Sequence, residues 1–212
     1  MSLVLHGRAT SSNVQAVMWG LAELGLDVER RDVGGRFGGN DTPEYRKMNP
    51  MGLIPVLQDG EVALFESAVI LRYLDRRYGQ GRLSTDDPRG DSWAEWAKHT
   101  LCRTFTLQVF WGFYRTPEAD RDMAAVIAAL RRFEALAALA MAQRGADAWL
   151  MGNRFSLADI WVGHVLYRYF TLDLPRQPPD GLRAYYDTLQ QRRVYCDHIM
   201  IDYSELKGRL SF

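Results

Sequence analysis

The segment Asn49-Pro50-Met51-Gly52-Leu53-Ile54-Pro55-Val56-Leu57, followed closely by Phe65-Glu66-Ser67-Ala68-Val69-Ile70-Leu71, constrains the fold of this chain more than any other. Asp59-Gly60 separates the apolar runs Val56-Leu57-Gln58 and Val62-Ala63-Leu64. A short Asp-Gly loop between such runs predicts a β-hairpin, because Gly accepts positive φ. Pro55 has no N–H to give a sheet, so it is tolerated only at an edge or at the start of a strand. That position leaves the backbone groups of Ile54 free for another partner. After the hairpin, Ala68, Leu71, Leu74 and Tyr78 repeat at helical spacing, so Glu66 and Ser67 place an acid and a hydroxyl at a helix start.

The same reasoning extends in both directions. Leu3-Val4-Leu5 reads as a buried strand, and Val14, Val17, Met18, Leu21 and Leu24 mark a helix stopped by Gly25-Leu26-Asp27. A second strand near residues 28–32 completes a β-α-β unit. Gly34 to Asn40 is glycine-rich but lacks the spacing and the following Lys of a phosphate loop, so it reads as flexible cover over a site. Gly79-Gln80-Gly81 and Asp86-Asp87-Pro88 place a boundary, giving an α/β domain over 1–80, a linker over 81–89 and an all-helical domain over 90–212. In the latter, aromatic residues from Trp93 to Tyr114 crowd one long helix ended by Pro117. A second helix over 118–143 turns Val126, Leu130, Phe133 and Ala137 inward. Ser156-Leu157-Ala158-Asp159 has the pattern of a capping box. Leu182, Tyr185, Tyr186 and Leu189 face inward from the last helices.

Charge excludes some functions. The 26 basic and 26 acidic side chains cancel, which argues against nucleic acid or an anionic membrane as partner. No apolar run reaches the length of a membrane span, and Met1 to His6 is too short for a signal peptide, so a cytoplasmic protein is expected. Cys102 and Cys196 fit neither a disulfide framework nor a redox motif and read as buried free thiols. His6, His99, His164 and His198 show no metal-binding spacing, so no metal is expected.

The order Ser11, Ile54-Pro55, Glu66-Ser67 and then Gly152-Asn153-Arg154-Phe155-Ser156-Leu157-Ala158-Asp159-Ile160 resembles the cytosolic glutathione S-transferases, in the manner of a serine-type bacterial member, over nearly the whole chain. The resemblance implies a thioredoxin-like N-terminal domain that binds glutathione, an all-helical C-terminal domain, and a homodimer. It implies that Ser11 donates a hydrogen bond to the glutathione thiolate, which together with a helix N-terminus lowers the thiol pKa. Thr10 and Ser12 are rivals for that role, and Asn13 is a possible second donor. From the local sequence alone a simple helix cap is the better reading of Ser11 or Ser12, and the whole-chain resemblance reverses that preference. The resemblance further implies a cis Ile54–Pro55 bond, pairing of the Ile54 backbone with the cysteinyl part of glutathione, and capture of the γ-glutamyl end by Glu66 and Ser67.

The chain departs from several serine-type classes in having Leu53 where they have lysine. Arg36 and Lys47 are candidate substitutes for holding the glycyl carboxylate. Phe110, Trp111 and Tyr114, with Arg115, are candidates for an apolar second-substrate pocket, although an aromatic run at helical spacing also suits a core. The expected reaction joins glutathione to a small electrophile. Dehalogenation, peroxide reduction and ligand binding with little turnover use the same site and stay open.

Overall fold

The computed structural model of the protein describes residues 3–210; the outermost residues of both expected domains lie outside that range. The described residues divide into two compact units, 3–81 and 82–210.

The first unit holds one four-stranded sheet in the order β2-β1-β3-β4. β1 (Leu3–His6) runs parallel to β2 (Val28–Arg31) and antiparallel to β3 (Val56–Asp59), which pairs antiparallel with β4 (Val62–Phe65). The crossover between β1 and β2 is α1 (Ser12–Leu24), which ends at Gly25 in the left-handed conformation with φ 69°. Val14, Val17 and Leu21 are buried on its inner face. α3 (Ser67–Leu74) continues through one wider turn, Asp75–Gly79. Ile70, Leu71 and Leu74 are fully buried there.

Three local readings change. The hairpin loop is Gly60-Glu61, because Asp59 pairs with Val62 as the last residue of β3. Asp59 is 8% exposed, and its carboxylate accepts hydrogen bonds from the hydroxyls of Tyr73 and Tyr78. These bonds, Tyr78 first, hold it below the ordinary carboxylate pKa. Gly34 to Asn40 contains an ordered 3-10 turn, Gly35–Phe37. After it comes α2 (Pro43–Met48), which the sequence reading left unassigned; Thr42 caps it by accepting from the Tyr45 N–H.

The second unit is helical. α4 (Arg89–Trp96) continues in helical geometry through wider turns over Ala97–Cys102 and Thr104–Arg115. α5 (Met123–Arg144) starts later than expected because Asp122 caps it, after a 3-10 turn at Glu118–Asp120. α6 (Leu157–Gly163), α7 (Leu166–Thr171), α8 (Leu182–Gln190) and α9 (Arg193–Ile199) follow. Within 82–88, expected as part of a linker, Leu83 anchors the segment to this unit: it is 3% exposed and its carbonyl accepts from the Leu157 N–H at 2.9 Å. The predicted capping box is present. The buried Asp159 carboxylate also accepts from the Leu150 N–H and the Tyr185 hydroxyl, each at 2.9 Å. Cys102 is buried, whereas Cys196 is only partly so. Trp161 and His164 are core residues.

Candidate functional site

The strand-to-helix turns of the first unit bring most of the candidate residues to two helix starts and one loop. Ser11 occupies the N-cap position of α1 in extended geometry (φ −73°, ψ 126°). Its N–H donates to the Arg8 carbonyl at 3.1 Å, and its own carbonyl accepts from the Gln15 N–H at 2.8 Å. The hydroxyl makes no capping bond. An N-cap serine ordinarily spends its hydroxyl on the backbone of the first turn; this one does not. Ser12 begins the helix and is half-buried. Thr10 is 7% exposed and its hydroxyl accepts from the Arg8 guanidinium at 2.9 Å, so it is committed inside the fold. No acidic residue sits in the first turn of α1, so the partial positive charge of that helix end is not cancelled locally.

The Ile54–Pro55 peptide bond is cis, in agreement with the expectation. The preceding carbonyl, of Leu53, accepts from the Tyr45 hydroxyl and from the Asn49 side-chain amide, each at 2.8 Å. Those two bonds fix the plane of the Leu53–Ile54 peptide. Neither backbone group of Ile54 has a hydrogen-bond partner among the described residues. Glycine makes room for this loop at two places. A Cβ on Gly7 would lie 2.5 Å from Val14 and 3.4 Å from Ile54, and a Cβ on Gly52 (φ 64°) would lie 2.8 Å from the Asn40 carbonyl. Tyr45 and Asn49 are positioning residues that sequence reasoning missed, since their partner is a backbone carbonyl and no side-chain pattern announces it.

Glu66 is exposed and has φ 68° and ψ 110°, a conformation costing a non-glycine residue about 1–3 kcal/mol. It forms the N-cap of α3, and its carbonyl accepts from the Ile70 N–H at 2.9 Å. Ser67 is 2% exposed and its hydroxyl donates to Asn13 Oδ1 at 3.1 Å. This bond joins the two helix starts. α3 likewise has no acid in its first turn, so its N-terminus suits a carboxylate. Leu53 is 61% exposed and bears no charge. Arg36 is exposed and stacks over Phe37 at 4.7 Å, while Lys47 lies exposed on α2.

The second-unit candidates separate. Trp111 is 36% exposed and Tyr114 is half-buried, so both keep accessible surface. Phe110 and Arg115 do not fit the pocket reading. Phe110 is 1% exposed and stacks on Tyr114, which makes it core. Arg115 is 4% exposed because its guanidinium donates to the carbonyls of Arg209 and Leu210, pinning the C-terminal segment.

The sequence matches the family description "Glutathione S-transferase, N-terminal domain" over residues 5–82 and "Glutathione S-transferase, C-terminal domain" over residues 102–192. It is 36% identical over 208 residues to glutathione S-transferase GstB of Escherichia coli K12, covering 95% of this chain and 100% of that protein. It is 32% identical over 184 residues to glutathione S-transferase 3 of Zea mays, covering 83% and 81%. The theta class glutathione S-transferase of Xanthomonas axonopodis pv. citri, solved with glutathione bound, superposes with a TM-score of 0.87 at 39% identity, covering 95% of this chain and 98% of that one.

Proposed function

Because this chain belongs to the glutathione S-transferase family, we propose that it conjugates glutathione to a small, mostly apolar electrophile by a serine-type mechanism. The observation that carries the reading is the Ser11 hydroxyl, placed at the N-terminus of α1 and not used as a cap. Glutathione is the co-substrate. Its γ-glutamyl carboxylate meets the Ser67 backbone N–H at the start of α3, and its amino group faces Glu66. The free backbone groups of Ile54 pair with the cysteinyl residue as an added strand would. The Ser11 hydroxyl then donates to the thiolate, with Asn13 and Ser12 beside it in the first turn. A hydrogen bond to the charged form and a helix N-terminus both favour ionisation. The thiolate attacks an electrophilic carbon, the carbon–sulfur bond forms, and the leaving group departs with its electron pair. The glycyl carboxylate falls to Arg36 or Lys47, in the absence of a cation at Leu53.

The division of labour follows the two units, with glutathione on 3–81 and the electrophile on the helical unit near Trp111 and Tyr114. A homodimer is supported by exposed Val69 on α3 (48%) and by an apolar groove of about 480 Å³ beside Trp93, Trp96 and Leu139. The two free thiols support a reducing, cytoplasmic setting for a detoxifying enzyme. Calorimetric titration of glutathione, followed by turnover of a panel of aryl halides and epoxides, tests the reading. Binding with turnover of at least one electrophile supports it; binding without turnover of any supports a carrier instead.

A further inference from the structure

The sheet sets which way glutathione runs along Ile54. Val56 pairs with Phe65, and Glu66 and Ser67 follow directly, so the γ-glutamyl end lies toward Val56. The glycyl end therefore points the other way, toward Leu53 and Gly52. The loop at that end is closely tied. The Gly52 N–H donates to the Asn49 carbonyl at 2.9 Å, and the Gly52 carbonyl accepts from the Asn40 side-chain amide at 2.8 Å. Arg46, exposed on α2, joins this loop to the segment before α2. Its Nε donates to the Asp41 carbonyl at 3.2 Å and its Nη1 to the Pro50 carbonyl at 3.3 Å. The guanidinium lies against Gly52, where a Cβ would stand 3.6 Å from Nη2. Among the described residues Nη2 has no hydrogen-bond acceptor and Arg46 no ion-pair partner.

We propose that Arg46 Nη2 donates to the glycyl carboxylate of glutathione and makes the enzyme selective for a tripeptide whose glycyl carboxylate is free. The proposal rests on the reading of Ile54, Glu66 and Ser67 as the glutathione site. Leu53 brings no charge to this end, being 61% exposed and apolar. Arg46 brings one that is already aimed, since two loop carbonyls hold the plane of its guanidinium and less side-chain freedom is lost on binding. A guanidinium–carboxylate bond is charge-assisted and stronger than its neutral counterpart. The other two cations are differently placed. Arg36 lies over Phe37 at 4.7 Å, and Lys47 makes no hydrogen bond to either loop among the described residues. Arg46 supplies the hydrogen bond, and whichever of Arg36 and Lys47 faces the carboxylate adds charge.

Calorimetry of the full chain with three peptides tests this: glutathione, its glycyl ethyl ester, and the analogue in which the glycyl carboxylate is a carboxamide. The wild type is expected to bind glutathione about tenfold tighter than either neutral analogue. Arg46→Met should weaken glutathione about tenfold and leave both analogues within about twofold of wild type, so that the preference disappears. Arg46→Lys, which keeps the charge without the planar fork, should recover part of the loss. An equal loss for all three peptides in Arg46→Met would make Arg46 a support of the loop alone and overturn the proposal. So would a variant that keeps the wild-type preference for glutathione over the neutral analogues, with the glutathione site left standing. A wild type that binds none of the three peptides would overturn the glutathione site itself and this assignment with it.

Discussion

The Ser67 hydroxyl donates to Asn13 Oδ1 across 3.1 Å, tying the first turn of α1 to the first turn of α3. The two residues are 54 positions apart in sequence, so this bond sets the spacing between the two helix N-termini that the proposed site uses. Each helix end brings partial positive charge toward the proposed glutathione site.

Removing either partner should therefore alter binding through the other. Ser67→Ala is expected to weaken glutathione by about 1 kcal/mol, the net worth of the neutral hydrogen bond to Asn13 that spaces the two helix starts. Asn13→Ala should cost less, and the double variant should lose less than the sum of the two. Titration of glutathione against all three variants measures the coupling; strict additivity would mean that the bond has no part in the site.

Glu66 separates binding from stability. Its positive φ is strain that glycine does not feel. Glu66→Gly is expected to hold or raise stability by about 1 kcal/mol while losing glutathione affinity, and Glu66→Ala to lose affinity while keeping the strain. Denaturant melts and titrations of the two variants check this. Unchanged affinity in both would reduce Glu66 to a helix cap.

Asp159 supports the helical unit instead of the chemistry. Its carboxylate accepts from the Ser156 N–H and hydroxyl, the Leu150 N–H and the Tyr185 hydroxyl, while burial raises its pKa. Asp159→Ala leaves those donors buried without an acceptor, at a cost of about 3 kcal/mol or more. Urea denaturation measures it, and a loss under about 1 kcal/mol would contradict the network's role.

His164 should make stability depend on pH. Burial holds its imidazole at about 4, against 6.5 for an exposed group, while its Nδ1 faces the Trp161 carbonyl at 2.9 Å. Between those values the unfolded chain binds a proton that the folded chain excludes. The contribution is present above pH 6.5 and is lost as pH falls toward 4. Stability should drop by about 2 kcal/mol between about pH 7 and 5 from this residue alone. Denaturation of His164→Gln at both pH values should show a flatter dependence; an equal slope would contradict it.

What was legible in the sequence was local. The Gly25 stop and the Ser156–Asp159 box each rest on residues within one turn of each other, where backbone sterics and capping decide the outcome, whereas the cis Ile54–Pro55 bond was implied by the family resemblance. The misread positions depend on distant partners or on phase. Asp59 looked like a turn residue, and only Tyr73 and Tyr78, 14 and 19 residues later, explain why it is buried at the end of β3. Phe110 and Trp111 are neighbours with 1% and 36% exposure. The wider turns over Ala97–Cys102 and Thr104–Arg115 shift the helix away from a 3.6-residue period, so simple periodicity cannot separate them. α2 offered its Thr42-Pro43 start but only one buried residue, Tyr45, and so no apolar period to read.

The most direct test of the account is the pKa of the glutathione thiol on the enzyme, followed by the ultraviolet absorbance of the thiolate across pH in the wild type, Ser11→Ala and Ser12→Ala. A serine-type mechanism predicts a bound thiol pKa below that of free glutathione in the wild type. It predicts a rise of about one unit or more in Ser11→Ala, equivalent to about 1.4 kcal/mol of lost thiolate stabilisation, with activity recovering at higher pH. A thiol pKa unchanged from wild type in both serine variants would contradict the serine-type mechanism.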